Sequence, residues 1–263
     1  MALIDPVSFK SRLGDLAGRF DVDALDECDS TNSELMRRAD RGAPSGTVIV
    51  ADRQSAGRGR RGRQWLSSPE KSLTFSLLWR FPAKGAGLTG LSLAVGVGLV
   101  KGLESLGAAG IRLKWPNDVL LQSSDEFAKL AGILIELCSD RRGMQAIIGI
   151  GLNLEAPVGD LPQPVAGLDQ ACVQLPGRDA VLAAVLCNLA GILDVFAVDG
   201  FSGLKSEWQA YHAWQGLPVH ILDDGPQPLS GRCLGVDDAG SLLLATERGV
   251  ERILSGDVSL RRA

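Results

Sequence analysis

Histidine and tyrosine are nearly absent from this chain, with two histidines and one tyrosine in 263 residues. His212 and His220 stand at or beyond the end of the main apolar segments, with no serine or cysteine nucleophile motif beside them. A Ser-His-Asp or Cys-His mechanism is therefore unsupported. Also missing are a Walker lysine motif and a strand–GxGxxG–helix unit, so neither P-loop nor Rossmann phosphate binding applies. The five cysteines, Cys28, Cys138, Cys172, Cys187 and Cys233, are scattered, without a CxxC pair or a nearby histidine to complete a zinc site. Their odd number, in a chain long enough to build a core without staples, predicts reduced thiols. The opening MALIDPVSFKSRLGD lacks the basic start and apolar stretch of a signal peptide. The apolar run Leu91 to Val100 is about half of the ~20 residues that span a bilayer. A net charge of −4 argues against a general nucleic-acid binder. These absences predict a soluble, cytoplasmic protein whose reaction, if it catalyses one, draws its nucleophiles from its substrates.

Hydrophobic residues make up 45% and charged residues 22% of the chain, so most of it can form a packed core. Residues 1 to about 26 suffice for one helix and a lead-in. Ser30, Thr31 and Asn32 are N-cap types before a helix over Ser33 to Arg41, closed by Gly42 and Pro44. Gly46 to Asp52 and Ser72 to Trp79 read as strands. Beyond the Pro82–Gly87 break, Leu88, Leu91, Val95, Leu99, Leu103 and Leu106 recur at helical spacing. Ile111 to Leu121, Leu130 to Leu137 and Gln145 to Leu154 read as three further strands, the last two apolar on both sides. A Pro- and Gly-rich connection over 155–177 leads to a helix marked by Val181 through Phe196, and a shorter helix follows over Ser202 to His212. Near Gly216 the texture changes. Pro218–Leu222, Ser230–Val236, Leu242–Thr246, Val250–Leu254 and Val258–Leu260 are short strands with turn residues between them, which predicts a small β-barrel. The boundary expected is 1–214 for a main domain and 215–263 for the barrel.

Four segments carry chemistry. The first is Gly57-Arg58-Gly59-Arg60-Arg61-Gly62-Arg63-Gln64-Trp65, whose glycines let backbone N–H groups surround an anion and whose arginines add bidentate donors. Taken alone it reads equally as a solvated loop or an RGG-like RNA contact. Trp65 is either a core anchor or a wall of a ligand site. The second is Lys114-Trp115-Pro116-Asn117-Asp118, on a strand that ends in a turn; Asn117 and Asp118 read as an Asx cap or as nucleotide and metal ligands. The third is Lys129 leading into the strand LAGILIE, costly unless its charge meets an anion or snorkels out. The fourth is Gly149-Ile150-Gly151-Leu152-Asn153, where two glycines on one strand face make room for a ligand or for close packing.

In this order, Asp29-Ser30-Thr31-Asn32, Gln54-Ser-Ala-Gly57 with the arginine block, KWPND, KLAGILIE and GIGLN resemble the biotin–protein ligase family over roughly residues 26 to 262. Glu207-Trp208 and Gly256-Asp257-Val258-Ser259-Leu260-Arg261 also look like family positions. The resemblance implies an α/β (α+β) catalytic domain related to class II aminoacyl-tRNA synthetases, with a mixed sheet and flanking helices, and a C-terminal SH3-like barrel. It implies adenylation of biotin by ATP and transfer of biotin to a lysine of a biotin carboxyl-carrier domain of a biotin-dependent carboxylase. By similarity, Ser30, Thr31, Asn32, Gln54 and Gly57 surround biotin, and Gly149 and Gly151 floor its pocket. Arg58 and Arg60 close over the carboxylate and phosphate, and Lys129 polarises that centre. Arg61, Arg63, Trp65, Lys114, Asn117 and Asn153 attend the ATP, and Asp118 holds Mg²⁺.

Two departures accompany the resemblance. Only about 28 residues precede Asp29-Ser-Thr-Asn, too few for a helix-turn-helix module, so neither DNA binding nor repression is expected. A polar stretch, Gln122 to Ala128, lengthens the approach to Lys129. A homodimer through an edge strand of the main sheet is left open, and no membrane partner is expected. The rival readings are a lipoate–protein ligase, which shares the fold and adenylate chemistry, and a non-enzymatic RNA-binding module. The arginine block and terminal barrel disfavour the first, and the lack of a spread basic face disfavours the second.

Overall fold

The computed structural model of the protein describes residues 4–82, 87–124, 126–140, 143–159, 161, 163–222, 228–256 and 258–262. The chain opens with helix α1 (Pro6–Leu13), strand β1 (Asp21–Cys28), helix α2 (Thr31–Asp40), β2 (Thr47–Gln54), β3 (Ser72–Phe81) and helix α3 (Leu91–Glu104). It continues through β4 (Ile111–Lys114), β5 (Asp118–Ser123), β6 (Glu126–Asp140), β7 (Gly143–Asn153), helix α4 (Arg178–Asp199) and helix α5 (Lys205–Tyr211). The first seven strands form one mixed sheet in the order β1-β2-β3-β7-β6-β5-β4, with β1 parallel to β2 and every other pair antiparallel.

Alternation along the strands explains the layers. On β7, Ala146, Ile148, Ile150 and Leu152 join a core shared with α3 and α4, whereas Ile147 packs with Leu35 and Ala39 of α2 on the opposite face. The same period-2 division separates Val48 and Val50 from Ile49 on β2. Helices α3 and α4 approach closely because Gly102 has no side chain: a Cβ there would lie 2.8 Å from the Val185 Cα. The stretch Arg178–Tyr211 is long and apolar enough to cross a membrane by length and composition. It exceeds the Leu91 run in that respect, yet Leu182, Leu186, Leu189, Leu193 and Phe196 are all buried in the core. A helix buried on most of its circumference has the same composition.

Two expectations change. The segment Ile111 to Leu121 is a hairpin, β4 and β5, turned at Trp115-Pro116-Asn117 across a cis Trp115–Pro116 bond. Apolar content reads the same on both arms, while the proline, which has no N–H, marks the break. Strand β1 falls within the lead-in read from the sequence. Its Asp21, Asp23, Asp26 and Glu27 disguise it, and they are tolerated because it is a half-exposed sheet edge.

Beyond α5 come β8 (Pro218–Leu222), β9 (Leu229–Val236), β10 (Leu242–Thr246), β11 (Gly249–Ile253) and β12 (Ser259–Arg262). They form a separate antiparallel sheet in the order β11-β10-β9-β8-β12. This C-terminal β-domain closes on Val219, Ile221, Cys233, Leu242, Leu244 and Leu260, all buried. It meets the main sheet through Trp115, whose indole N–H donates to the Gly240 carbonyl at 3.1 Å. The connecting turn between β8 and β9, with its Asp-Asp-Gly-Pro run, lies outside the described residues, as does Asp257.

Candidate active site

A cleft of about 550 Å³ opens on the α2 face of the main sheet. Its floor is β7 and β6, one wall is the arginine-rich segment, and the other is Val258 to Arg261 of the C-terminal β-domain. Residues separated by more than two hundred positions thus meet at one place.

The floor is made by two missing side chains. A Cβ on Gly149 would stand 2.3 Å from Asn32 Oδ1, and one on Gly151 would stand 2.3 Å from the Trp65 ring. The glycines admit the chain's own Asn32 and Trp65, which line the cleft above them. Beside Asn32, Gln54 Oε1 accepts the Thr31 backbone N–H at 2.8 Å. Ser76 Oγ lies 2.7 Å from Thr31 Oγ1 and 2.6 Å from Asn32 Oδ1. Ser30 occupies the N-cap of α2, but its hydroxyl makes no cap bond and the residue lines the cleft. Ser76 is buried and gives no sequence signal beyond its place on an apolar strand.

The arginine segment is a small hairpin and not an unstructured loop. Trp65 N–H donates to the Gly57 carbonyl at 3.0 Å and Gly59 N–H to the Arg63 carbonyl at 2.7 Å. At the tip Arg61 and Gly62 take positive φ values of 59° and 67°. Gly57 does not line the cleft, contrary to the family-based expectation. It is the hairpin's base, where a Cβ would come within 2.4 Å of the Trp65 carbonyl. Arg58, Arg60, Arg61, Arg63 and Trp65 all line the cleft, but the arginines part company. Arg60 reaches Asn117 Oδ1 at 3.3 Å and the carbonyls of Ser255 and Gly256, so the hairpin is tied to the C-terminal β-domain.

Arg58, expected beside Lys129, instead pairs with Glu136 at 2.7 Å. Glu136 lies four residues along β6 from Gly132, against which the end of the Lys129 side chain rests. At ~3.3 Å per residue that separation is about 13 Å. In this structure Arg58 and Lys129 do not share a centre.

At the other end of the cleft three charges are packed together. Asp118 Oδ1 lies 2.6 Å from Lys129 Nζ, and its Oδ2 lies 3.1 Å from Lys114 Nζ. Burial alone would raise the Asp118 carboxyl, but the Lys129 and Lys114 ammonium groups outweigh it and bring it down to about 2. Burial pushes Lys114 down against the attraction of Asp118, and the Trp214 ring lies 5.3 Å from its Nζ. Asp118, expected to hold a metal, sits between the two ammonium groups. Both oxygens are already engaged by ammonium groups, and no group of three or more His, Cys, Asp or Glu suited to a metal occurs among the described residues. The donor set does not fit a protein-held Mg²⁺.

Asn117 and Asn153 line the cleft while their amides serve the backbone. Asn117 Nδ2 donates to the Ile133 carbonyl at 2.8 Å, and Asn153 Nδ2 to the Ala166 carbonyl at 3.1 Å. The connection over 155–177 does more than link elements. Lys129 N–H donates to the Pro164 carbonyl and Ala166 N–H to the Lys129 carbonyl, both at 2.9 Å, which lays this segment along β6. The longer approach to Lys129 is the β5–β6 turn, and Lys129 still lines the cleft. Arg261 on β12, in the C-terminal stretch that resembles family positions, also lines the cleft.

Residues 26–153 match the Biotin/lipoate A/B protein ligase family, and residues 216–261 match the Biotin protein ligase C terminal domain. The "Bifunctional ligase/repressor BirA" of Escherichia coli (strain K12) is 34% identical, over 99% of this chain and 80% of that protein. The "Biotin--[acetyl-CoA-carboxylase] ligase" of Paracoccus denitrificans is 32% identical, over 89% of this chain and 98% of that protein. Among solved structures, a biotin protein ligase from Aquifex aeolicus in complex with biotin and ATP superposes with a TM-score of 0.77 at 33% identity. That superposition covers 92% of this chain and 99% of the other. The likeness extends over both the main sheet and the C-terminal β-domain, and the chain belongs to the biotin protein ligase family.

Proposed function

We propose that the protein joins biotin to AMP and then passes biotin to a lysine of a biotin carboxyl-carrier domain. The observation that carries this reading is the cleft itself. A glycine-floored polar recess at one end is continuous with a lysine–aspartate–lysine cluster and arginine hairpin at the other.

In the first step a biotin carboxylate oxygen attacks the α-phosphorus of ATP and pyrophosphate leaves, giving biotinyl-5′-AMP. In the second, a neutral acceptor amine attacks the anhydride carbonyl, AMP leaves with the bonding electrons, and the surplus proton passes to solvent. Both nucleophiles belong to substrates, which suits a site without a protein nucleophile. Its residues orient the reactants and stabilise charge.

We assign Ser30, Thr31, Asn32 and Gln54 to the biotin ring, with Gly149 and Gly151 beneath it and Trp65 as a wall. Lys129 polarises the carboxyl–phosphate centre, and Asp118 holds that ammonium in place. Lys114, Asn117, Asn153, Arg60, Arg61 and Arg63 serve the nucleotide, joined by Arg261 from the C-terminal β-domain. Arg58 acts at the ring end through Glu136. We assign no protein ligand to Mg²⁺.

The domain boundary falls between Trp214 and Gln215. In support, Ala213 N–H bonds to Leu113 of the main sheet, whereas Gly216 N–H bonds to Cys233 of the C-terminal sheet. A dimer through a sheet edge would use β1, since the Ala213 segment covers β4. The free thiols of Cys28, Cys172, Cys187 and Cys233 support a reducing compartment, the cytoplasm.

The test is AMP release from ATP assayed with biotin, with lipoate and with neither. Release that requires biotin supports the reading; release driven by lipoate and indifferent to biotin overturns it.

A further inference from the structure

Asn32 is bound on its amide nitrogen by groups that can only accept. Its Nδ2 donates to Glu136 Oε2 at 2.8 Å and to the Leu134 carbonyl at 3.3 Å. A carboxylate and a backbone carbonyl carry no proton, so the amide has one orientation, with Oδ1 turned toward Ser76 Oγ at 2.6 Å. That contact then fixes the serine, whose single proton is spent on Asn32 Oδ1. With that proton spent, Ser76 accepts from the Thr31 hydroxyl 2.7 Å away, whose proton then turns to Ser76 and away from Gln54 Oε1 at 3.2 Å. A direction of hydrogen bonding therefore propagates from Glu136 through Asn32 to Ser76 and Thr31. Glu136 does not itself line the cleft, and its same Oε2 also takes Arg58 at 2.7 Å. The arginine balances the carboxylate charge and ties the hairpin to this chain of bonds.

We propose that Glu136 is a positioning residue that makes the ring end of the cleft selective for a cyclic urea. With Asn32 Oδ1 held toward the floor at Gly149, that end offers acceptor oxygens to the two N–H groups of a ureido ring. A dithiolane ring has no N–H and draws nothing from the arrangement. Without Glu136 the Asn32 amide is released to turn over and present donors where the urea also presents donors. The inference rests on the biotin reading above and adds the residue that enforces it.

The experiment compares wild type, Glu136→Ala and Glu136→Gln in steady-state AMP release, varying biotin and ATP separately. In Glu136→Ala the KM for biotin is expected to rise about tenfold or more, with kcat and the KM for ATP within about twofold of wild type. Glu136→Gln keeps the volume and one acceptor but adds a donor, and is expected to fall between, at about threefold in biotin KM. An unchanged biotin KM in either variant overturns the proposal, and so does an equal loss in kcat and in both KM values. If wild-type protein releases no AMP with biotin, the ligase reading itself fails. If wild type turns over and the variants match it, only the role of Glu136 fails.

Discussion

Lys129 Nζ lies 2.6 Å from Asp118 Oδ1, and the other oxygen of that carboxylate holds Lys114 at 3.1 Å. One anion thus organises two cations at the end of the cleft where a carboxylate and a phosphate are to be joined. Removing Lys129 takes away charge stabilisation while Asp118 keeps a partner. Lys129→Ala is expected to lower kcat for adenylate formation by about 10²–10³-fold with little change in melting temperature. Single-turnover formation of biotinyl-5′-AMP measures it; near-normal adenylation would remove Lys129 from its role.

The opposite substitution, Asp118→Asn, leaves two ammonium groups close together without their carboxylate. It is expected to destabilise the fold by roughly 3 kcal/mol, read by urea unfolding. Because both Asp118 oxygens are occupied by lysines, the Mg²⁺ concentration giving half-maximal rate should be the same in this variant as in wild type. A strong rise in that concentration would restore Asp118 as a metal ligand.

Gly149→Ala places a methyl 2.3 Å from Asn32 Oδ1. The side chain must shift, and with it the network that includes Ser76 and Thr31. The KM for biotin is expected to increase at least about tenfold with the melting temperature nearly retained. Titration of biotin in the AMP-release assay checks this.

Arg60 ties the hairpin to Asn117 and to the carbonyls of Ser255 and Gly256. Arg60→Gly cuts both ties and removes a cation from the adenylate end. The variant is expected to release its activated intermediate, labelling bystander lysines of added serum albumin that wild type leaves unmodified. Strict acceptor dependence in the variant would contradict this account of the hairpin.

Acid should weaken the junction between the two sheets. Burial holds His212 down at about 4, below its ordinary 6.5, so the folded protein keeps it neutral while the unfolded chain takes up a proton. The stability from neutral His212 is complete above pH 6.5 and is lost as pH falls toward 4, by about 3 kcal/mol in all. His212→Phe preserves an aromatic partner for Trp208, whose ring lies 4.5 Å away, and should flatten this dependence in urea titrations across that range.

Much of the site was legible because its chemistry is local. The Gly57–Trp65 block, Lys129 and the Gly149/Gly151 pair announce themselves by residue type, and all but Gly57 and Gly62 line the cleft. Glu136 and Ser76 were not legible. Each sits on a strand where its neighbours are apolar, and its meaning comes from partners more than forty positions away. Strand β1 was obscured for the same reason, since an acidic segment becomes a strand only when β2 supplies its hydrogen-bonding edge.

The sequence by itself determined the helices and most strands, through apolar spacing of 3.6 or 2, and the inventory of charged and glycine residues for binding anions. Only the tertiary structure decided how those charges are shared. It gave Asp118 to two lysines, Arg58 to Glu136, and Arg261 to a cleft on the other domain. A charge finds its partner through space at a few ångströms, and chain order does not encode that distance.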